Sequence, residues 1–339
     1  MHGTQGRAPA ATSAGVAGSP PTAARPGVTR LGWIGTGVMG RSMVCRLRDA
    51  GFDILLTTRS RSKAEALLER GCQWAESPAA VAAGADVVFV MVGHPSDVRA
   101  VVFGEEGVLA GAAPGAILVD HTTSAPGLAR EIDAAAAARG LWSLDAPVSG
   151  GDKGAREGTL TVMVGGADAP REALAACWAA VAGNVVACGA AGAGQQTKLV
   201  NQIAIAGGMV GMCEALLFAH RAGLDVETTL RAISGGAAGS WSLSNLAPRI
   251  VRGDFAPGFM VEHFVKDMRL ALDECRRLDL PLPGLSLVES LSTALLAHGR
   301  GAWEPRASCW HWHSLQVIPG QRRRLRRFPE PPHRAAIRS

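Results

Sequence analysis

The chain has 339 residues, 47% of them hydrophobic and 19% charged, with seven cysteines and a formal net charge of +5. That length allows two domains, but the positive charge lies at the ends: residues 321–339 hold seven arginines against one glutamate, residues 1–30 hold three arginines and no acid, and residues 31–320 are left at −4. A nucleic-acid surface needs basic residues clustered on a folded face, so the balance argues against that partner. The cysteines stand singly without metal-ligand spacing, which argues against a metal site and for reduced thiols in a cytoplasm.

Residues 1–28 are rich in Ala, Gly, Pro, Ser and Thr and lack the apolar run of a secretory signal, so a disordered tail is expected there. From residue 29 to 191, β-rich runs at 30–34, 53–57, 86–92, 116–120, 141–146, 159–164 and 184–188 alternate with helical segments such as 63–70 and 128–138. That alternation predicts βαβ units, a parallel sheet and functional loops at the carboxyl ends of the strands. After Gly192 the strand signals stop. Helices are predicted over 195–222, 226–233, 241–252, 261–278 and 285–297, separated by breaks such as Gly235-Gly236 and Pro281-Leu282-Pro283. A second, all-helical domain is therefore expected over 192–300. The most apolar run, 203–212, is too short to span a bilayer and is flanked by Asn201, Gln202 and Glu214, so it reads as a helix buried in protein and no membrane partner is expected.

The first strand leads into Gly35-Thr36-Gly37-Val38-Met39-Gly40, a G-x-G-x-x-G that follows an apolar strand and opens a helix, as a dinucleotide loop requires. The first glycine allows the tight turn, the second lets the backbone approach a pyrophosphate, and the third permits close helix–strand packing. A plain tight turn is the competing reading. The second strand ends in Thr57-Thr58-Arg59-Ser60-Arg61 with no acid to hold a ribose 2′-hydroxyl. Arg59 and Ser60 suit a 2′-phosphate, which favours NADP over NAD. The alternative is that Arg59 and Arg61 are solvated loop charges.

On a helix, Lys198, Asn201, Gln202, Ile205 and Met209 share one face. Spacing alone fits a solvated lysine as well as a functional one. Six stretches, "LGWIGTGVMGRSM", "DHTTSAP", "LDAPVSGG", "GTLTVMVGG", "GAGQQTKLVNQ" and "GFMVEHFVKDMRLAL", together resemble the β-hydroxyacid dehydrogenase family in order and spacing, over residues 29–299. The resemblance implies a Rossmann-type doubly wound sheet followed by an all-α domain of the 6-phosphogluconate dehydrogenase C-terminal type, joined by the long helix, with the active site in the cleft. It implies Lys198 as general acid/base, and Ser149, Gly150 and Gly151 with Asn201 and Gln202 as the substrate site. Val92, Gly93, Thr123 and Lys266 would contact the cofactor beside the glycine loop. For Lys266 the competing reading is a solvated charge pair with Asp267, and Phe259 is explained as well by packing as by a pocket role. His94 reads as a loop residue. The implied substrate is a small carboxylate-bearing aldehyde or its hydroxy acid, 2-hydroxy-3-oxopropionate and glycerate foremost. 3-Hydroxyisobutyrate, glyoxylate and succinic semialdehyde are alternatives, as are an imine reductase and a non-enzymatic dinucleotide-binding protein on the same fold. The glycine-spaced helix face (Gly207, Gly208, Gly211) suggests a homo-oligomer.

Residues 301–339 depart from that family. Composition shifts abruptly to Arg, Pro, Trp and His, and the expected closing motif and last amphipathic helix do not follow. A changed reading frame near residue 303 is the hypothesis this suggests, with a metal site at Cys309, His311 and His313 a remote alternative.

Overall fold

The structure is a computed structural model and describes residues 20–254 and 259–298. Residues 1–19 and 299–339 lie outside it, and with them the atypical tail and Cys309, His311 and His313. The chain divides into two compact units, Met1–Lys198 and Leu199–Ser339. The boundary falls inside a single helix, Ala193–Arg221, rather than where the strand signals end.

The first unit is built on a nine-stranded sheet: β1 Arg30–Ile34, β2 Asp53–Thr57, β3 Gln73–Trp74, β4 Val87–Val90, β5 Ile117–Asp120, β6 Trp142–Asp145, β7 Val148–Ser149, β8 Leu160–Gly166 and β9 Ala182–Gly189. The order is β3-β2-β1-β4-β5-β6-β8-β7, with β9 pairing β8. From β3 to β6 all pairings are parallel. The expectation of a purely parallel sheet is corrected beyond β6, because β8 runs antiparallel to both β6 and β7. The two-residue strands β3 and β7 were too short to leave a periodic signal.

Side chains of the central strands alternate between two cores, as the period of two requires. Leu31, Trp33, Val87, Phe89, Ile117 and Val119 enter one cluster, and Ile34, Val88, Val90 and Leu118 the other. Both faces are covered, which is why these strands read as continuous apolar runs. Residues 20–28, expected in the disordered tail, are mostly exposed but anchored at Ala24, which is buried and donates its N–H to the Ala173 carbonyl at 2.7 Å.

The second unit is helical, with Val226–Ser234, Trp241–Asn245, Ala247–Val251, Val261–Arg277 and Pro283–Ala297 following the long helix. The single helix expected over 241–252 is broken at Leu246, since Pro248 opens a new helix and supplies no N–H to continue the old one. The long helix has 29 residues and by length and composition could cross a membrane, so the short apolar run read from the sequence is part of a longer element. Cys45, Cys72, Cys177, Cys188 and Cys275 are free thiols, while Cys213 is disulfide-bonded, which corrects the reading of seven reduced cysteines.

Two buried titrating groups lie at the carboxyl end of the sheet. His121 stacks on Phe89 at 5.6 Å and Trp33 at 6.1 Å between ring centroids, and its Nδ1 lies 2.6 Å from the Ala146 carbonyl, which fixes the proton on that nitrogen. Burial holds its pKa down at about 4, partly opposed by that carbonyl. Burial pushes the Asp145 carboxyl up to about 6, against the pull of the Gly192 and Gln195 N–H groups it accepts. The two act in opposite senses. Between pH 4 and 6.5 the unfolded histidine takes a proton the native one refuses, so this contribution makes stability fall as pH drops. Between pH 4 and 6 native Asp145 keeps a proton the unfolded chain releases, so this contribution makes stability fall as pH rises. Each amounts to about 3 kcal/mol at 1.36 kcal/mol per pKa unit. Thermal melts across this range should therefore show a slope near zero from the pair. Asp145→Asn should unmask a loss of stability on acidification, and His121→Phe a gain. Parallel slopes in both variants would refute the assignment.

Candidate active site

One row of paired residues crosses the sheet at its carboxyl edge: Thr57, Ile34, Val90, Asp120 and Asp145 are successive neighbours. The loops that follow this row, in the first unit, hold most of the residues expected to bind cofactor and substrate. Strand order reverses between β1 and β4, and such a switch point opens a crevice for a nucleotide.

The three glycines after β1 are required for three different reasons. Gly35 has φ +99°, and a side chain there would collide with the Met91 carbonyl oxygen. At Gly40 a Cβ would strike the Gly35 carbonyl, which already accepts the Trp33 indole N–H at 2.8 Å. Gly37 is the N-cap of helix Val38–Asp49, and a Cβ there would meet nothing within 4 Å. That open space at a helix start lacking an acid in its first turn fits a pyrophosphate. Beside it the buried Thr36 hydroxyl has no hydrogen-bond partner among the described residues, Val38 is exposed and Met39 half-buried.

After β2, Arg59 and Ser60 are exposed, and the Arg59 guanidinium lies 3.7 Å from Asp97. Arg61 is turned to Trp74, 5.1 Å from its ring centroid. After β4, the Val92 N–H donates to Thr122 Oγ1 at 3.0 Å, with Gly93 next. His94 is the N-cap of helix Pro95–Phe103 and donates its N–H to Asp97 at 3.1 Å, a capping role in place of the expected plain loop. After β5, Thr123 stands between two residues held by one side chain. Gln195 accepts the Ser124 N–H at 2.8 Å and donates to the Thr122 carbonyl at 2.7 Å.

Gln195 belongs to the first turn of helix Ala193–Arg221. The residues before that helix, Gly189-Ala190-Ala191-Gly192, offer no side-chain acceptor, so its free amides need one from elsewhere. Asp145 supplies it: its two carboxylate oxygens accept from Gly192 and Gln195 N–H at 2.7 Å each. Gly165 and Gly194 make room, since a Cβ at either would overlap Asp145. Lys198 follows one turn on and is 7% exposed, so the solvated-lysine alternative is corrected. In the same unit Ser149 pairs with Thr161 across β7–β8, and Gly150 (φ +129°) and Gly151 (φ +64°) turn the chain in ways open to glycine. Gly151 has nothing within 4 Å of a Cβ, leaving its backbone approachable.

In the second unit the remaining candidates form one network. Asn201 donates to Gln202 Oε1 at 2.7 Å, Gln202 donates to Asp267 at 2.7 Å, and the Lys266 ammonium lies 3.0 Å from the other Asp267 oxygen. The Lys266–Asp267 pair exists but is buried, with side chains 12% and 2% exposed, which corrects the solvated-pair alternative. Phe259 packs on Phe264 at 6.2 Å between centroids. Sequence reading missed Gln195, Asp145, Thr122 and Asp267. The helix start without an N-cap side chain was the one available signal for Asp145.

Residues 30–189 match the NAD-binding domain of 6-phosphogluconate dehydrogenase, and residues 192–308 match the domain described as the NAD-binding of NADP-dependent 3-hydroxyisobutyrate dehydrogenase. The chain is 49% identical to the probable 3-hydroxyisobutyrate dehydrogenase-like 1, mitochondrial, of Arabidopsis thaliana, over 81% of this chain and 83% of that protein. It is 36% identical to 2-hydroxy-3-oxopropionate reductase of Escherichia coli, over 80% and 92%. Among solved structures, Psf3 in complex with NADP+ and 2-OPP superposes with a TM-score of 0.78 at 25% identity, and 3-hydroxyisobutyrate dehydrogenase from Salmonella typhimurium with a TM-score of 0.75.

 The match to Psf3 spans 83% of this chain and 99% of that one, and the match to the Salmonella typhimurium enzyme spans 84% and 99% at 30% identity. With both halves matched and close relatives aligned over most of their length, the chain belongs to the β-hydroxyacid dehydrogenase family and is an NAD(P)-dependent oxidoreductase acting on CH–OH groups.

Proposed function

We propose that this enzyme reduces a short carboxylate-bearing aldehyde, 2-hydroxy-3-oxopropionate to glycerate foremost, with NADPH preferred and Lys198 as the general acid. The observation that carries the reading is a buried lysine one turn into a helix whose start is pinned, by Asp145 and Gln195, to the carboxyl edge of the nucleotide-binding sheet. The relative that acts on 2-hydroxy-3-oxopropionate by name supports the substrate, and the exposed Arg59 after β2, in a stretch from Thr57 to Arg61 that contains no acid, supports the 2′-phosphate. In the same reading the chain works in the cytoplasm as a homo-oligomer, with Gly207, Gly208 and Gly211, each open beyond its Cβ, on the face that packs.

NADPH, when bound, supplies the hydride. Reduction of the aldehyde would put negative charge on its carbonyl oxygen. The Lys198 ammonium stabilises that charge and gives up its proton, so the product leaves as an alcohol. In the reverse direction the neutral amine takes the proton back. The Ser149 hydroxyl and the approachable Gly150 and Gly151 backbone hold the substrate carboxylate, and Asn201, anchored through Gln202 to Asp267, orients the reacting group. Thr36, Val38, Met39, Val92, Gly93, Thr123 and Lys266 line the cofactor in this reading.

Lys198→Ala should lower kcat by about 10²–10⁴ while NADPH binding, read by fluorescence titration, stays within about twofold of the parent. Turnover would be followed as NADPH oxidation with 2-hydroxy-3-oxopropionate, methylmalonate semialdehyde, succinic semialdehyde, glyoxylate and a cyclic imine. Unchanged kcat in Lys198→Ala sinks the lysine assignment, and preference for the imine sinks the substrate class. Arg59→Ala should weaken NADPH about tenfold and NADH little, as loss of one charge-assisted bond predicts. Equal weakening of both cofactors would remove Arg59 from the 2′-phosphate.

A further inference from the structure

A glutamine with no exposed surface, Gln195, spends both ends of its side-chain amide on the loop after β5. Its Oε1 accepts from Ser124 and its Nε2 donates to the Thr122 carbonyl, so the peptide units on both sides of Thr123 are gripped at once. Thr122 in turn accepts the Val92 N–H and donates its own N–H to Asp120 Oδ1 at 2.9 Å. Gln195's own backbone N–H is held by Asp145. One residue therefore joins three strand ends, β4, β5 and β6, to the first turn of the long helix. Three residues later on that helix comes Lys198, which lies on the same side at this spacing.

We propose that Gln195 is a positioning residue: its amide sets the register between the Thr122–Ser124 loop and the helix, and so fixes where the Lys198 ammonium stands relative to the reacting carbonyl. The inference rests on the reading of Lys198 as the proton donor. A glutamine suits the task because the loop presents one donor and one acceptor, and a primary amide answers both at once. Neither a carboxylate nor an apolar side chain of the same length does so. Misplacement of a catalytic group by about an ångström is enough to cost about a hundredfold in rate. Gln195 touches no reacting atom, and its effect should pass through the lysine.

The test is a double-mutant cycle on the full chain, using whichever of the five compounds above turns over fastest. Gln195→Met keeps length and removes both hydrogen bonds. It should lower kcat about tenfold to a hundredfold, leave KM for the carbonyl compound within about twofold, and speed hydrogen exchange at the Ser124 amide. In the Lys198→Ala background the same change should lower kcat no further. If the two losses multiply, or if Gln195→Met keeps the parent kcat, the positioning role is overturned. Should Lys198→Ala itself keep full activity, the reading of the lysine fails first and takes this inference with it. Gln195→Glu provides a second variant if the methionine protein does not fold. It keeps the acceptor for Ser124, opposes the Thr122 carbonyl, and should give a smaller loss of kcat that likewise vanishes without the lysine. A loss that persists without the lysine overturns the proposal.

Discussion

The buried carboxylate of Asp145 is the constraint from which the site follows. A helix of 29 residues begins at a run of glycine and alanine with nothing to cap it. Its free amides and the positive end of its dipole need an acceptor. Asp145 meets that need from 50 residues earlier in the chain, at the end of β6. Burying the carboxyl carries a penalty, visible in its raised pKa, and two short bonds from Gly192 and Gln195 offset part of it. The closeness of fit explains Gly165 and Gly194, where any side chain would displace the acid. Those glycines serve packing around one anion, unlike Gly37, whose vacant flank suits a ligand.

From this anchor the hydrogen bonds run along the carboxyl edge of the sheet. Gln195 reaches Thr122 and Ser124, and Thr122 reaches Val92. Beneath them lie the stacked rings of Trp33, Phe89 and His121, with Trp178 edge-on to the last two. Trp33 also holds the glycine loop through its indole N–H. The loops read as cofactor-binding thus rest on a rigid aromatic floor and are tied laterally to one another. Such a second layer is what keeps a reacting geometry within the tolerance that catalysis demands.

Local patterns carried most of the fold. The apolar runs of β1, β2, β4, β5 and β6 and the helical periods after Gly192 are properties of neighbouring residues, and a sequence displays them directly. The glycine loop was legible for the same reason. Its three glycines answer to three local demands, and the structure separates them as a turn, a ligand approach and a packing contact. What escaped was short or distant. The pair β3 and β7 offer two residues each, and the reversal of β8 depends on pairing rather than on its own sequence. Gln195 and Asp145 were printed inside quoted motifs without a role, because their partners lie 73, 71 and 50 residues away. Residues 20–28 looked like tail by composition, yet Ala24 is seated by a single backbone bond to a distant helix end.

The same limit applies to Lys266 and Asp267 in the second unit. Adjacent residues on a helix do not normally face one another, so a solvated charge pair stood as the competing reading beside a cofactor contact for Lys266. Here the long lysine stem brings its ammonium to one Asp267 oxygen at 3.0 Å while Gln202 occupies the other at 2.7 Å. A buried charge persists only when it is paired and hydrogen-bonded, and Asp267 satisfies both conditions with two partners of different kinds. Gln202 is consequently divided: its Nε2 serves Asp267 and its Oε1 accepts from Asn201. An amide so committed has little capacity left for a substrate. Of the two amides that follow Lys198 on the helix, Gln202 is the support, tying the Asn201 amide to the buried Asp267.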